Sequence, residues 1–295
     1  MTDFVATLIA RPENAADLDQ AVAASTLTVG ATHEVLSPGE AVDLFFASTE
    51  FIEMPRARLE FAVGALPVDV ILQPVAGRRK RLLITDMDST IIGQECIDEL
   101  ADFAGLKDKV AAITARAMAG EIEFAPALRE RVALLAGLPA ETIEAVIAER
   151  ITLNPGAKAL VWTMRANGAH TILVSGGFTA FAEKIAAKAG FNESRANELL
   201  IAGGKLTGKV REPILGRSAK LATLEDAIIR LEIPALETMA VGDGANDLAM
   251  IRRAGLGVAY HAKPKVAEAA AARIDRTDLT ALLYAQGYKR NQFIE

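Results

Sequence analysis

The chain of 295 residues holds a single cysteine, Cys96, and only three histidines, His33, His170 and His261. One thiol cannot close an intramolecular disulfide, so a disulfide-stapled scaffold is excluded and a reducing cytoplasm is expected. The four residues show no metal-ligand spacing and are read as structural or surface positions. Long apolar runs are missing too. The longest stretch free of Asp, Glu, Lys and Arg, Ala166 to Ala182, contains Asn167, His170 and three glycines. No membrane span is expected, although 51% of the residues are hydrophobic. The opening "MTDFVATLIARPEN" places an acid, and no basic segment, ahead of its short apolar run, so it does not read as a signal peptide. Positive charge is not in excess: the net charge of −6 would be repelled by a phosphate backbone, which excludes nucleic acid as the main partner. Internal repeats and low-complexity tracts are absent.

The length and apolar content allow two modules with real cores. Residues 1–77 predict strand-helix-strand-strand-helix-strand, the order of an α+β ferredoxin-like unit. No cluster of acid, base and nucleophile can be assembled there. "AGRRKR" (76–81) marks a junction, read as a solvated linker in preference to an anion patch. From residue 78 to 295, apolar strands alternate with amphipathic helices, which predicts an α/β fold, a doubly wound, mainly parallel sheet of Rossmann type. "RLLIT", "HTILVS", "TMAVG" and "LGVAY" are its clear strands. Residues 94–152, between the first two, read as several helices capping the sheet. Residues 197–214 predict a smaller hairpin insertion around Gly203-Gly204.

In such sheets ligands sit at the carboxyl ends of the strands. "DMDST", "SGGF" and "GDGAND" should therefore converge on one crevice. Asp86 and Asp88 repel each other at a strand end unless a divalent cation joins them, and Asp243 offers a further hard oxygen ligand. Asp247 either supports that site or merely caps the following helix. Ser175, Gly176 and Gly177 can seat a phosphate. Lys220, in a first helical turn, opposes the helix dipole unless it faces an anion. Arg131 falls inside the apolar stripe Phe124, Leu128, Val132 and Leu135. It either snorkels past the stripe edge or awaits a carboxylate. Glu95 begins a helix, where a glutamate is ordinarily a dipole partner. Met118 and Phe124 would most often be plain core.

In this order, "DMDST", "SGGF", Lys220 and "GDGAND" resemble the four motifs of the haloacid-dehalogenase superfamily of phosphohydrolases. "DMDSTIIGQECIDELADFAG", "EIEFAPALRERVALLAGLP" and "LVSGGFTAFAEKIAAKAGF" are similar to its phosphoserine phosphatase family, over about residues 82–283. The first module loosely resembles ACT-like regulatory units. The resemblance implies Mg2+ as cofactor, held by Asp86, the Asp88 carbonyl and Asp243, with Asp86 as nucleophile and Asp88 as acid and base. It implies phosphate binding by Ser175, Gly176 and Lys220, with Gly177, Asn246 and Asp247 in support. Glu95 and Arg131 would recognise the ammonium and carboxylate of phosphoserine, with Met118 and Phe124 lining the pocket. Met87 departs from a commoner phenylalanine. Another small phosphoester, transfer to another alcohol, and an amino-acid sensor with an inert second module are the alternatives. The intact set Asp86, Asp88, Lys220 and Asp243 argues against the last. A homodimer and an amino-acid effector at the first module stay open.

Overall fold

Phe4 to Ala10 is apolar apart from Thr7, and the fold buries both faces of the strand. This computed structural model describes residues 1–118 and 121–295; the side chain of Met118, an expected pocket residue, lies outside the described residues. After β1 (Thr2–Ala10) come α1 (Ala15–Val29), β2 (Thr32–Ser37), β3 (Ala41–Ser48), α2 (Glu53–Val63) and β4 (Val68–Pro74). The strands form an antiparallel sheet in the order β2-β3-β1-β4. Period-two alternation sorts β1: Phe4, Ala6, Leu8 and Ala10 pack with Leu18 of α1 and Leu59 of α2. Ile9, with Ile71 of β4, points the other way, into the core of the rest of the chain.

That second part starts with β5 (Leu82–Thr85), followed by α3 (Cys96–Phe103), α4 (Lys107–Met118), α5 (Phe124–Leu134), α6 (Glu141–Arg150) and α7 (Ala157–Ala166). β6 (His170–Phe178), α8 (Thr179–Ala189), β7 (Glu193–Asn197), β8 (Leu199–Ala202), β9 (Lys205–Val210) and α9 (Arg217–Arg230) come next. β10 (Thr238–Gly242), α10 (Leu248–Arg253), β11 (Leu256–Tyr260), α11 (Pro264–Ala269), β12 (Ala272–Ile274) and α12 (Ala281–Ala285) complete it. Six strands pair in parallel as β12-β11-β10-β5-β6-β7. The four central strands are those legible as apolar runs. β7, "ESRAN", and β12 are short outer strands without such a run, and period reading misses them.

α3 to α6 form the helical insertion. β8 and β9 form the expected hairpin, its turn made by Gly203 and Gly204 at φ 57° and 74°, a conformation that favours glycine. The hairpin grips the insertion: Gly137 N donates to Leu206 O, Leu206 N to Leu138 O, and Ala140 N to Gly204 O, at 2.8, 2.8 and 2.9 Å.

The junction is not the solvated linker expected from "AGRRKR". Arg78 donates from one guanidinium nitrogen to both oxygens of buried Asp43, at 2.6 and 2.7 Å, and from Nε to Ala285 O in α12. Lys80 is 4% exposed and donates to Gly77 O and Leu236 O. A basic run is ambiguous in sequence because its partners, Asp43 and the α12 carbonyls, lie far away along the chain. Burial raises the Asp43 carboxyl above its ordinary value, against the Arg78 charge and hydrogen bond. Arg78→Ala would leave that carboxylate buried and unpaired. We expect a loss of about 3–5 kcal/mol in urea unfolding. A change below about 1 kcal/mol would show the pair to be dispensable.

Candidate active site

β5, β6 and β10 end side by side, so Thr85, Ser175 and Gly242 deliver three turns to one crevice. Asp86 follows β5 and is 5% exposed. Its Oδ1 accepts from Met87 N at 2.7 Å and from the Lys220 ammonium at 2.7 Å. Lys220, 2% exposed in the first turn of α9, also pairs with Asp247 Oδ1 at 2.6 Å. Burial by itself would push this lysine down, yet Asp86 and Asp247 hold it above its ordinary value. The first-turn lysine is therefore held in a slot of acids, not solvated.

Asp247 precedes α10 but does not cap it. Its Oδ2 accepts from Gly244 N at 3.1 Å while Oδ1 takes Lys220. Asp86, Asp243 and Asp247 each bring one oxygen within 4.8 Å of the others. Convergent carboxylates offer the hard oxygen donors that a small divalent cation takes, and since both Asp247 oxygens have partners, Asp86 and Asp243 are the ones open to it. Burial, then the Asp86 charge, raises Asp243, and the same two causes lift Asp247 to about 8 against Lys220. Asn246 lies beside Gly244.

Asp88 points to the other side. Its Oδ1 accepts from Cys96 N at 2.9 Å, and its Oδ2 from the Ser175 hydroxyl at 3.2 Å. Burial raises it to about 6; the hydrogen bond from Cys96 opposes and the Asp86 charge adds. The contact is made by the Cys96 backbone N–H, and the buried thiol itself is structural, as expected. Ser175 Oγ also accepts from Gly177 N at 2.8 Å, which curls the "SGGF" segment. That segment belongs to β6, with a register shift between Val174 and Phe178, and not to the start of α8. A Cβ on Gly177 would meet Asp88 Oδ2 at 3.0 Å, so close approach requires glycine there. The sequence reading misses Asn197. Buried at 3% exposure, it donates to Gly176 O and Leu215 O and accepts from Leu215 N, tying the glycine turn to the approach of α9. The "SRANEL" stretch carries no local sign of that partner.

The helical insertion roofs the crevice. Phe124 reaches over Gly176, where an added Cβ would touch its ring at 3.0 Å. Glu95 precedes α3 and receives the Ser89 hydroxyl at 2.8 Å. Its carboxylate opens to the crevice, and protein crowding raises it to about 7, the Asp88 charge adding and Ser89 opposing. Arg131 is half-buried and donates only to Ala127 O, one turn back, at 3.3 Å. Among the described residues it has no ion pair, and burial pushes the guanidinium below its ordinary value, against the Asp98 and Glu95 charges. Snorkelling to solvent does not describe it.

A parallel sheet with paired acids after its central strand, a buried lysine and an acidic turn two motifs later define a phosphohydrolase class. The chain belongs to the haloacid dehalogenase-like hydrolases, matched over residues 83–252. Within that class it is similar to phosphoserine phosphatases. It is 42% identical to that of Archaeoglobus fulgidus, over 77% of this chain and 66% of the relative, just under two thirds of its length. A haloacid dehalogenase family hydrolase of Salmonella enterica serovar Typhi superposes with a TM-score of 0.86 at 29% identity, covering 97% of this chain and 98% of that one. A phosphoserine phosphatase solved as a phospho-aspartyl intermediate analogue superposes with a TM-score of 0.65 at 41% identity, over 70% of this chain and 98% of its own. No helix among the described residues is long and apolar enough to cross a membrane.

Proposed function

We propose that this chain hydrolyses O-phospho-L-serine to L-serine and phosphate through an aspartyl-phosphate on Asp86, with Mg2+ as cofactor. The observation that carries the substrate is the pair Arg131 and Glu95, a guanidinium and a carboxyl group that, among the described residues, have no ion partner. A zwitterionic amino acid complements both, its carboxylate on Arg131 and its ammonium on Glu95. Glu95, near 7 in the free protein, would lose its proton as the ammonium arrives.

Both contacts of Asp86 fall on Oδ1, which leaves Oδ2 to attack phosphorus in line with the seryl oxygen. Asp88, held by Cys96 N and Ser175, gives its proton to the leaving seryl oxygen. It then takes a proton from the water that attacks the aspartyl-phosphate, releasing phosphate and restoring Asp86. Lys220, Ser175 and the Gly176 amide take the phosphoryl oxygens, and Gly177, its N–H given to Ser175 Oγ, holds that turn in place. Asp86, Asp243 and the Asp88 carbonyl would hold Mg2+, with Asp247 and Asn246 in support; when bound, it balances the charge of the phosphate. Phe124 would close the pocket to water. We read residues 1–77 as a ferredoxin-like, ACT-like module and 78–295 as the phosphatase module. The βαββαβ order and β2-β3-β1-β4 sheet support the first of these.

A phosphate-release panel with Mg2+ tests the reading. Phosphoserine should exceed phosphothreonine and simple sugar phosphates in kcat/KM, and equal rates would overturn the substrate assignment. Arg131→Ala should lower kcat/KM about 10²-fold on phosphoserine, with little change on p-nitrophenyl phosphate, which has no carboxylate. Equal losses on both would make Arg131 structural.

A further inference from the structure

Asp86 and Lys220 lie at 5% and 2% exposure on the floor of the crevice, and the helical roof above such a floor is the part that moves to admit a substrate. The roof joins the sheet through two segments, residues 90–94 and 152–156, which zip together as a ribbon. Ile92 bridges Leu153, Asn154 N donates to Ile91 O, Asn154 Nδ2 to Thr90 O, and the Gln94 side chain bonds Thr152 at both its hydroxyl and its N–H. A cavity of about 360 Å³, lined by Arg11, Ser89, Gly93, Asn154, His261 and Asp278 among others, leaves one side of this ribbon unpacked. Its outgoing end rests on the loop before α12. Leu279 N donates to Pro155 O, and Gly156, at φ 78°, lies so close that a Cβ would meet Thr280 N at 2.5 Å.

This loop is held from the first module. Asp69 of β4, 5% exposed, accepts the backbone N–H groups of Asp275, Arg276 and Thr277 at 2.9 to 3.2 Å, and the Thr277 hydroxyl at 2.7 Å. Arg11 adds a bond from Nε to Arg276 O at 2.7 Å. The loop continues into Asp278, whose Oδ1 takes Thr280 N at 2.8 Å and fixes the surface under Gly156. A carboxylate bound by three consecutive amides is a rigid clamp, because releasing any one leaves a buried charge less compensated.

We propose that Asp69 is a positioning residue for the roof hinge, so that the first module acts as the brace against which the roof opens and closes. The inference rests on the phosphoserine reading for its kinetic arm only. In the metal-loaded chain of 295 residues, Asp69→Ala should speed hydrogen exchange at residues 90–94 and 152–156 as well as in the clamped loop. It should lower kcat/KM for phosphoserine by about tenfold, changing kcat and KM together, at temperatures well below the unfolding midpoint. Thr277→Val, which removes one hydroxyl contact, should give the same pattern in smaller measure and covers failure of Asp69→Ala to fold. Faster exchange confined to residues 275–277, with hinge exchange unchanged, would overturn the proposal and leave Asp69 a local staple. If the wild-type chain ignored phosphoserine, the substrate assignment would fall while the exchange result still decided the hinge.

Discussion

Asp86→Asn is expected to lower phosphate release at least about 10⁴-fold while leaving the fold intact. The amide cannot attack phosphorus, and no neighbour can replace it. Asp88 is engaged by Cys96 N and Ser175, and Asp247 by Lys220 and Gly244 N. The same substitution should not weaken the metal-free protein. The Asp86 charge is among the causes that raise Asp88, Glu95, Asp243 and Asp247, so removing it relieves four acids at once, while Lys220 keeps Asp247. Turnover within tenfold of wild type would end the assignment of Asp86 as nucleophile.

The repulsion has a pH signature. Asp88, Glu95 and Asp247 lie at about 6, 7 and 8 in the fold, above their ordinary values. Between about pH 4 and pH 8 the folded chain therefore keeps protons that the unfolded chain has released, and stability falls as pH rises through that window. The thermal midpoint in chelator should drop from about pH 6 to about pH 8. Saturating Mg2+, or Asp86→Asn, should flatten the drop. A midpoint that rises with pH would contradict the crowding of acids on which the site depends.

Much of this site was legible because its residues lie at the ends of apolar runs, where strand and turn chemistry are local. "LLIT" followed by two acids, or "TMAVG" followed by "DGAND", tells where a sheet presents oxygen ligands. What stayed hidden depends on partners distant in the chain. Asn197 meets Gly176 only through the sheet, and Asp69 meets residues 275–277 across more than two hundred positions. The charged linker was misjudged for the same reason. Arg78 is buried by Asp43 and by carbonyls of α12, neither adjacent in sequence. β7 was hidden differently, since an outer strand needs no apolar run.

Lys220→Met carries the second large effect, because one ammonium serves two masters. In the resting protein it is the counterion that lets Asp86 and Asp247 coexist without solvent, at 2.7 and 2.6 Å. In the proposed reaction it would also face the phosphoryl oxygens, where a preorganised cation acts in a site from which water is excluded. Methionine preserves the length and removes the charge. We expect kcat/KM to fall about 10³-fold. We expect stability without metal to fall by about 3–5 kcal/mol, because the buried Asp86 carboxylate and the Asp247 carboxyl beside it lose their shared cation. Mg2+ should recover part of the stability, since its charge reaches the same carboxylates, but little of the rate, since the cation on the α9 side of the phosphate is still missing. Lys220→Arg should fail as well: a planar guanidinium cannot put one compact charge between Asp86 Oδ1 and Asp247 Oδ1 as the ammonium does. A methionine variant with near-normal turnover would place the phosphate elsewhere, and recovery of rate together with stability on adding Mg2+ would reduce Lys220 to a structural counterion.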